Sequence, residues 1–177
     1  AAAKLMAENN VTAGQIGVAW GWYMVSPDFA GVFPTASEPL PYGSEGLLKV
    51  VIIMTDGEFN AVHKDGIRAK DSGTGGGTND RWINQDSDNG NPFKQSARLC
   101  DAMRAKGIIV YTVGFDINEQ NDPTPNKGGV DTVDTAEDVM QYCATNPSNV
   151  YLPQNGSSLK TAFGAIGRSI SQLRISR

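Results

Sequence analysis

The chain has 177 residues, 40% of them hydrophobic, and this length is sufficient for one globular core. Its formal net charge is -4 and its sequence pI is near 4.9. These values, with no run of Lys or Arg, argue against nucleic acid or an anionic membrane surface as partner. The longest apolar run, VVIIM, is far shorter than the ~20 residues that cross a bilayer. We therefore predict a single domain over residues 1–177 that binds proteins, cations or small ligands.

The residue inventory also limits the possible chemistry. His63 is the only histidine, and no G-x-S-x-G motif is present, so hydrolysis by a Ser-His-Asp triad is disfavoured. Two cysteines and one histidine fall short of the four ligands of a zinc site. The opening stretch, AAAKLMAENN, is typical of a helix already under way, so we expect the chain to be part of a longer protein.

The first predicted helix covers residues 12–25. Ile16, Trp20 and Tyr23 recur there at helical spacing, which predicts that these three side chains face the core. Thr12 stands where the helix would begin.

Two apolar runs without alternation predict parallel strands that are covered on both faces. The first lies in KVVIIMTDGEFN, residues 49–60, and the second in IIVYTVGF, residues 108–115. A short third strand is predicted at 149–153. Polar, glycine-rich segments at 58–92 and 116–134 predict long loops at one end of the sheet.

Three further helices separate or follow these strands. The second helix is predicted to end at Gly107, and the third to be capped by Thr135. The fourth carries apolar residues that step by four, three, four and three: Leu159, Phe163, Ile166, Ile170 and Leu173. The alternation of helix and strand predicts an α/β fold with a Rossmann-like parallel sheet flanked by helices. Three strands make a narrow sheet, with one edge unpaired.

Asp56 ends the first predicted strand and is followed by Gly57. In open α/β sheets, ligands bind beyond the carboxyl ends of the strands. Gly57 gives the backbone freedom to turn there, so that the carboxylate projects into a crevice. The alternative is that Asp56 accepts backbone N–H groups and caps the turn. The residues alone leave both interpretations open.

These motifs resemble those of a known family. VVIIMTDGEFN resembles the fourth-strand motif of von Willebrand factor type A domains, in which a hydrophobic strand ends in Thr-Asp-Gly, and AKGIIVYTVGF resembles the next strand. IGVAWGWYMVSP, YCAT and LKTAFGAIGRSISQLRIS are similar to the C-terminal part of TadG-like proteins, which belong to the bacterial tight-adherence (Flp) pilus assembly system. The resemblance implies strands four to six of a partial von Willebrand A-type fold. It also implies a non-enzymatic binding and assembly role in the periplasm or outer cell envelope, with any membrane anchor upstream.

The resemblance further implies a metal-ion-dependent adhesion site. Thr12, in NNVTAGQIG, and Asp56 match the family's Thr and Asp ligands, whereas the Asp-x-Ser-x-Ser element that completes such a site is absent. Because Mg²⁺ prefers about six oxygen ligands, we expect weak Mg²⁺ binding by this chain. In the complete protein, the metal would accept an acidic residue of a protein partner. The alternatives are a metal-independent structural module of the pilus and, less favoured, an α/β hydrolytic enzyme.

The TadG-like resemblance includes Cys100 and Cys143 and implies a disulfide between them. The even number of cysteines and the envelope context also favour a bridge, and the alternative is two buried thiols on apolar helix faces. The resemblance places a strand of the complete domain beside the first strand of this chain. We therefore expect the isolated chain to be marginally stable or to aggregate.

Overall fold

A computed structural model describes residues 12–57, 59, 63–64, 67–68, 90–117, 133 and 135–175. The helix expected before residue 12 and most of the predicted loops at 58–92 and 116–134 lie outside the described residues. The helices are α1 (Gly14–Tyr23), α2 (Pro92–Ala105), α3 (Ala136–Cys143) and α4 (Gly156–Ile175). The strands are β1 (Val50–Thr55), β2 (His63–Lys64), β3 (Ile67–Arg68), β4 (Ile109–Gly114) and β5 (Val150–Tyr151).

Three strands form a parallel sheet in the order β1-β4-β5, which confirms the predicted α/β class. The longest pairing joins β1 to β4, from Val50 opposite Ile109 to Thr55 opposite Gly114. The short strand β5 pairs with the other side of β4. In the described part of the chain, β1 is therefore an edge strand. A separate two-residue antiparallel pair, β2 with β3, interrupts the segment that was predicted as a continuous loop.

The two faces of the sheet are covered differently. One face packs against α1, α2 and α3 and contains the larger core, which includes Val18, Val51, Ile53, Phe93, Val110 and Met140. The other face packs against α4 through a smaller cluster that centres on Tyr111, Val113 and Ile166. Because β4 contributes to both clusters, it is the covered strand at the centre of the sheet.

Local signals set the helix ends as predicted. Thr135 Oγ1 accepts a hydrogen bond from Asp138 N at 3.1 Å and caps α3. At the C-terminal end of α2, Gly107 takes a φ of +73°, and its N–H donates to Arg104 O at 2.9 Å. The start of α2 has its own cap, because Asn91 Oδ1 accepts from Lys94 N at 2.8 Å.

The predicted orientation of α1 is wrong. Trp20 is 55% exposed and Ile16 is exposed as well, whereas Val18 is buried. A Cβ added to Gly21 would lie 3.2 Å from Val51, so this glycine face lets α1 approach β1 closely and turns Trp20 outward. Thr12 does not cap the helix, because the N-cap residue is Ala13 and no side chain caps it.

The prediction that β1 is covered on both faces is also wrong. Val51, Ile53 and Thr55 are buried, but Ile52 is 41% exposed and Met54 is 48% exposed. On that face the cluster around α4 reaches Val50 and extends no further along β1 among the described residues. The prediction that Phe163 of α4 faces the core is wrong as well, because this side chain is 41% exposed.

A disulfide between Cys100 and Cys143 joins α2 to α3, as the resemblance implied. Both cysteines are fully buried, with Cα atoms 5.0 Å apart and 43 residues apart in sequence. Polar contacts surround the bridge. Tyr142 Oη donates to the Asp101 carboxylate at 3.0 Å, and Arg104 donates to the carbonyl of Cys143 at 3.1 Å. The covalent link and these bonds hold the two helices to the same face of the sheet.

Reduction of the disulfide is expected to lower the free energy of unfolding by about 4 kcal/mol, because a bridge over 43 residues limits the unfolded chain. Urea unfolding of the chain purified from the periplasm, with and without reductant, measures this free energy. The mass of the protein after alkylation counts its free thiols. Two alkylatable thiols in the untreated protein, or unfolding curves that coincide, would contradict the prediction.

Candidate functional site at the carboxyl end of the sheet

The carboxyl ends of the three parallel strands lie together at one end of the sheet. Backbone bonds join them there: Phe115 N donates to Thr55 O at 2.8 Å, and Asp116 N donates to Pro153 O at 2.9 Å. In open α/β sheets this is the end at which ligands bind. We refer to it as the carboxyl end of the sheet.

The turn after β1 is held by Thr55 rather than by Asp56. The Thr55 hydroxyl is buried, accepts a hydrogen bond from Gly57 N at 3.3 Å, and donates one to Gly57 O at 2.8 Å. Asp56 is exposed, and its carboxylate makes no hydrogen bond or ion pair with the described residues. The alternative in which Asp56 caps the turn is therefore not what the structure shows. The carboxylate faces solvent at the carboxyl end of the sheet.

Thr12 lies at the same end of the domain as this turn. It is exposed just before α1, and it lines a groove between α1 and β1 together with Thr55. Thr12 and Thr55, the residue that precedes Asp56, therefore line the same groove. Among the described residues, no three or more His, Cys, Asp or Glu side chains lie close enough together to hold a metal ion. The Asp-x-Ser-x-Ser element is absent from the sequence, so Thr12 and Asp56 account for two of the about six oxygen ligands that Mg²⁺ prefers.

Asp116 is a second exposed carboxylate at the carboxyl end of the sheet, and the sequence analysis missed it. It lies two residues after the end of β4, whereas Asp56 directly follows β1, and these two strands are neighbours in the sheet. Its φ of 52° is in the left-handed region, which few residues other than glycine and the Asn/Asp pair adopt. The sequence does contain a signal, since an acid directly follows the apolar run in IIVYTVGFD, but the polar residues after it favour its assignment to the loop predicted at 116–134.

The groove between α1 and the edge of β1 has a volume of about 460 Å³, and we call it the β1 groove. All its described lining side chains are uncharged, and the only hydroxyls among them are those of Thr12 and Thr55. The helical side of the groove is lined by four residues of α1: Gly14, Gly17, Val18 and Gly21. The β1 groove is thus an apolar channel that begins at the candidate site and runs along the strand.

A second groove, of about 480 Å³, lies between α1 and α2. Trp20, Tyr23 and Arg98 contribute to its lining, and the two aromatic rings meet edge to face with centroids 5.8 Å apart. The outward turn of Trp20 creates this surface, which does not adjoin Asp56 in the described structure.

Two shifted pKa values occur among the described residues, and both belong to structural contacts. Burial lowers the pKa of Lys49, whose Nζ donates to Val25 O at 2.6 Å and lies 5.3 Å from the centroid of the Tyr42 ring. Burial and then the neighbouring Asp101 raise the pKa of Tyr142. Neither group lies at the carboxyl end of the sheet.

Comparisons with protein-family models, with curated proteins and with solved structures find no match to this chain. Among the described residues, no helix is both long enough and apolar enough to cross a membrane. The buried disulfide is consistent with an oxidising compartment outside the cytoplasm. The functional argument therefore rests on the residues at the carboxyl end of the sheet and on the fold that positions them.

Replacement of Thr55 by Val is expected to lower the free energy of unfolding by about 1 to 2 kcal/mol, because the turn loses both hydroxyl bonds. Asp56→Asn is the matched comparison and should change the free energy of unfolding by less than about 0.5 kcal/mol. Urea denaturation of the two variants measures both values. A larger loss for Asp56→Asn than for Thr55→Val would contradict the assignment of the turn to Thr55.

Proposed function

We propose that this chain is a non-enzymatic binding and assembly module of a bacterial tight-adherence (Flp) pilus system. The observation that carries the proposal is the Asp56 carboxylate, which is exposed at the carboxyl end of the sheet while Thr55 makes the bonds of the turn. A carboxylate that neither shapes the turn nor pairs with a described residue is free to serve a ligand. The likeness of the sequence motifs to TadG-like proteins supports the pilus context.

In the complete protein, Asp56 and Thr12 belong to a divalent-cation site under this proposal. A carboxylate and a hydroxyl are the hard oxygen donors that Mg²⁺ accepts, and both lie at one end of the domain. A cation bound there would accept a carboxylate oxygen from an acidic residue of a protein partner. Thr12 and Asp56 would supply two of the oxygen ligands, and the remaining ligands would come from the Asp-x-Ser-x-Ser element, which this chain lacks.

The proposed location is the periplasm or the outer cell envelope, where the partners are other pilus or envelope components. Support comes from the disulfide between Cys100 and Cys143, since such bonds persist in oxidising compartments. The buried position of both sulfurs makes the bond a structural one.

A metal-independent structural module of the same pilus system is the second candidate. The β1 groove favours it, because an apolar channel without charged lining residues can hold a partner segment without a cation. The two candidates differ in one testable respect, which is the need for the Asp56 carboxylate.

Asp56→Asn in the natural gene is expected to reduce the number of surface pili strongly and to remove any dependence of assembly on divalent cations. The measurement is pilus counting by electron microscopy in a deletion strain complemented with each variant. Glu45→Gln, a change at an exposed carboxylate in the turn that precedes β1, at the amino end of that strand, is the control and should leave the count unchanged. Normal pili with Asp56→Asn would favour the metal-independent module instead.

The isolated chain is expected to bind Mg²⁺ only weakly, in the millimolar range, because it offers a small part of an octahedral oxygen shell. Titration calorimetry of residues 1–177 with MgCl₂ measures this affinity, and Asp56→Asn should abolish the small heat that remains. Tight binding of one Mg²⁺ per chain would show that this chain holds a complete site, contrary to the expectation.

A further inference from the structure

The groove between α1 and α2 has a wall of aromatic rings that hold one another in place. We call it the α1–α2 groove, and its volume is about 480 Å³. The Tyr23 ring stacks on Phe29 with centroids 4.1 Å apart, and Trp20 meets Tyr23 edge to face. The indole N–H of Trp20 and the phenol O–H of Tyr23 form no hydrogen bond with a described residue, so both can donate to a ligand. The wall therefore offers apolar ring surfaces with hydrogen-bond donors beside them.

The remaining polar side chains of the α1–α2 groove define a charge preference. Arg98, which is exposed on α2, is the only charged residue among the described residues that line the groove. A well-matched ligand has flat apolar groups for the rings, carbonyl oxygens for the N–H and O–H donors, and a negative charge for the guanidinium. Proline-rich segments in the polyproline II conformation supply the rings and the carbonyls, and aromatic-lined grooves recognise them in this way. An acidic residue in such a segment would supply the charge.

The same chain displays a segment with this chemistry at residues 38–41, EPLP. The two prolines fix their own φ near -65°, and Glu38 and Leu40 each precede a proline, which restricts them to extended backbone. Glu38 has φ -64° and ψ 131°, close to polyproline II. The Leu40 side chain is 59% exposed, and Glu38 is exposed as well. The segment therefore presents an extended proline-rich edge with one carboxylate to solvent.

Neighbouring residues hold this segment in its extended form. Ser44 Oγ donates to Pro41 O at 2.9 Å, and Trp22 Nε1 donates to Tyr42 Oη at 2.9 Å. A segment that is already ordered loses less conformational entropy when it binds. Residues 38–41 do not line the α1–α2 groove of their own copy, so the segment of each copy is available to another one.

We propose that the α1–α2 groove of one copy of this chain binds the segment 38–41 of a second copy. The proline rings pack against Trp20 and Tyr23, and the Glu38 carboxylate pairs with Arg98. A second copy is the occupant that the chain itself supports, because one sequence carries both an aromatic groove with a positive charge and an exposed proline-rich segment with a negative charge.

The groove and the segment are different surfaces, so the proposed contact is heterologous. Each pair of copies keeps one open groove and one unbound segment, and the same contact can therefore repeat into a chain or close into a ring. This inference goes beyond the proposed function, because it describes a self-assembly contact that requires neither a cation nor the Asp56 carboxylate.

The first test uses a fluorescent peptide of residues 37–43, SEPLPYG. Fluorescence anisotropy should show saturable binding to the 177-residue chain that EDTA does not change. A peptide of the same length and charge in which alanine replaces both prolines is the matched control. It should bind at least about tenfold more weakly, because it loses the proline rings and the preformed extended conformation.

Variants of the chain locate the peptide. Trp20→Ala removes an exposed ring of the groove, so α1 should persist and peptide binding should fall at least about tenfold. Met24→Ala is the matched control, because Met24 is an exposed apolar residue just after α1 that does not line the groove. Arg98→Gln should weaken binding of the peptide, but not of a peptide that carries Glu38→Gln. Circular dichroism verifies that each variant is folded.

The second test asks whether whole copies use the same contact. Analytical ultracentrifugation should show that the unchanged chain associates as its concentration rises, whereas Trp20→Ala and Leu40→Asp should each stay monomeric. An equal mixture of these two variants should form a heterodimer and nothing larger, because one variant keeps the segment and the other keeps the groove. Aggregation along the edge of β1 involves neither residue and would persist in both variants.

Four results would overturn the inference: no peptide binding, equal binding of the alanine peptide, a folded Trp20→Ala variant that binds as the unchanged chain does, or a mixture of variants that stays monomeric. Peptide binding without association of the chain would overturn the second copy as occupant and assign the groove to a proline-rich segment of another protein. Asp56→Asn should change neither the peptide binding nor the association. A failure of this inference is therefore distinguishable from a failure of the proposed function.

Discussion

The burial of β4 on both faces is the constraint on which the other elements depend. Each polar group that this burial removes from water is bonded by a neighbouring element. Thr112 Oγ1 donates to Met140 O of α3 at 2.8 Å, and Tyr111 Oη lies 2.7 Å from Ser169 Oγ of α4. Val110 N donates to Thr145 Oγ1 at 2.8 Å, just beyond α3. Because unpaired buried polar groups are costly, these bonds fix where α3 and α4 lie against the sheet.

The strands on the two sides of β4 differ in length and in how well they are covered, and this difference leaves the candidate site beside β1 exposed. On one side, β5 is only two residues long and is followed by α4, which returns over the adjacent face. On the other side, β1 runs the full length of β4, but α4 does not extend over Ile52 and Met54. The strand with the longest pairing is thus also the most open one. The exposed carboxylate of Asp56, the β1 groove and the open apolar face are all consequences of that position.

The features that the residues alone predicted are those with local causes. The helix end at Gly107 depends on a single backbone conformation, and the cap at Thr135 depends on one side chain three residues from its donor. The parallel order followed from the alternation of helix and strand.

Features that depend on distant neighbours were not predictable. Trp20 has the spacing of a core residue, but a glycine face packs more closely against β1, and sequence periodicity carries no measure of that distance. Likewise, Thr55 and Asp56 both offer an oxygen to the turn, and only the backbone path decides which one is used.

The position of the disulfide in the chain has a mechanical consequence. Cys100 and Cys143 lie on either side of β4 in sequence, so a tension applied between the two ends of the chain passes through the sulfur–sulfur bond and bypasses residues 101–142. The central strand is therefore shielded from load by a covalent bond. In contrast, β1 and its turn at Asp56 lie outside the bridge, in series with the tension. The partner strand β5 also lies outside the bridge, so such a tension could pull either β1 or β5 away from β4, but residues 101–142 would not be extended while the bond is intact.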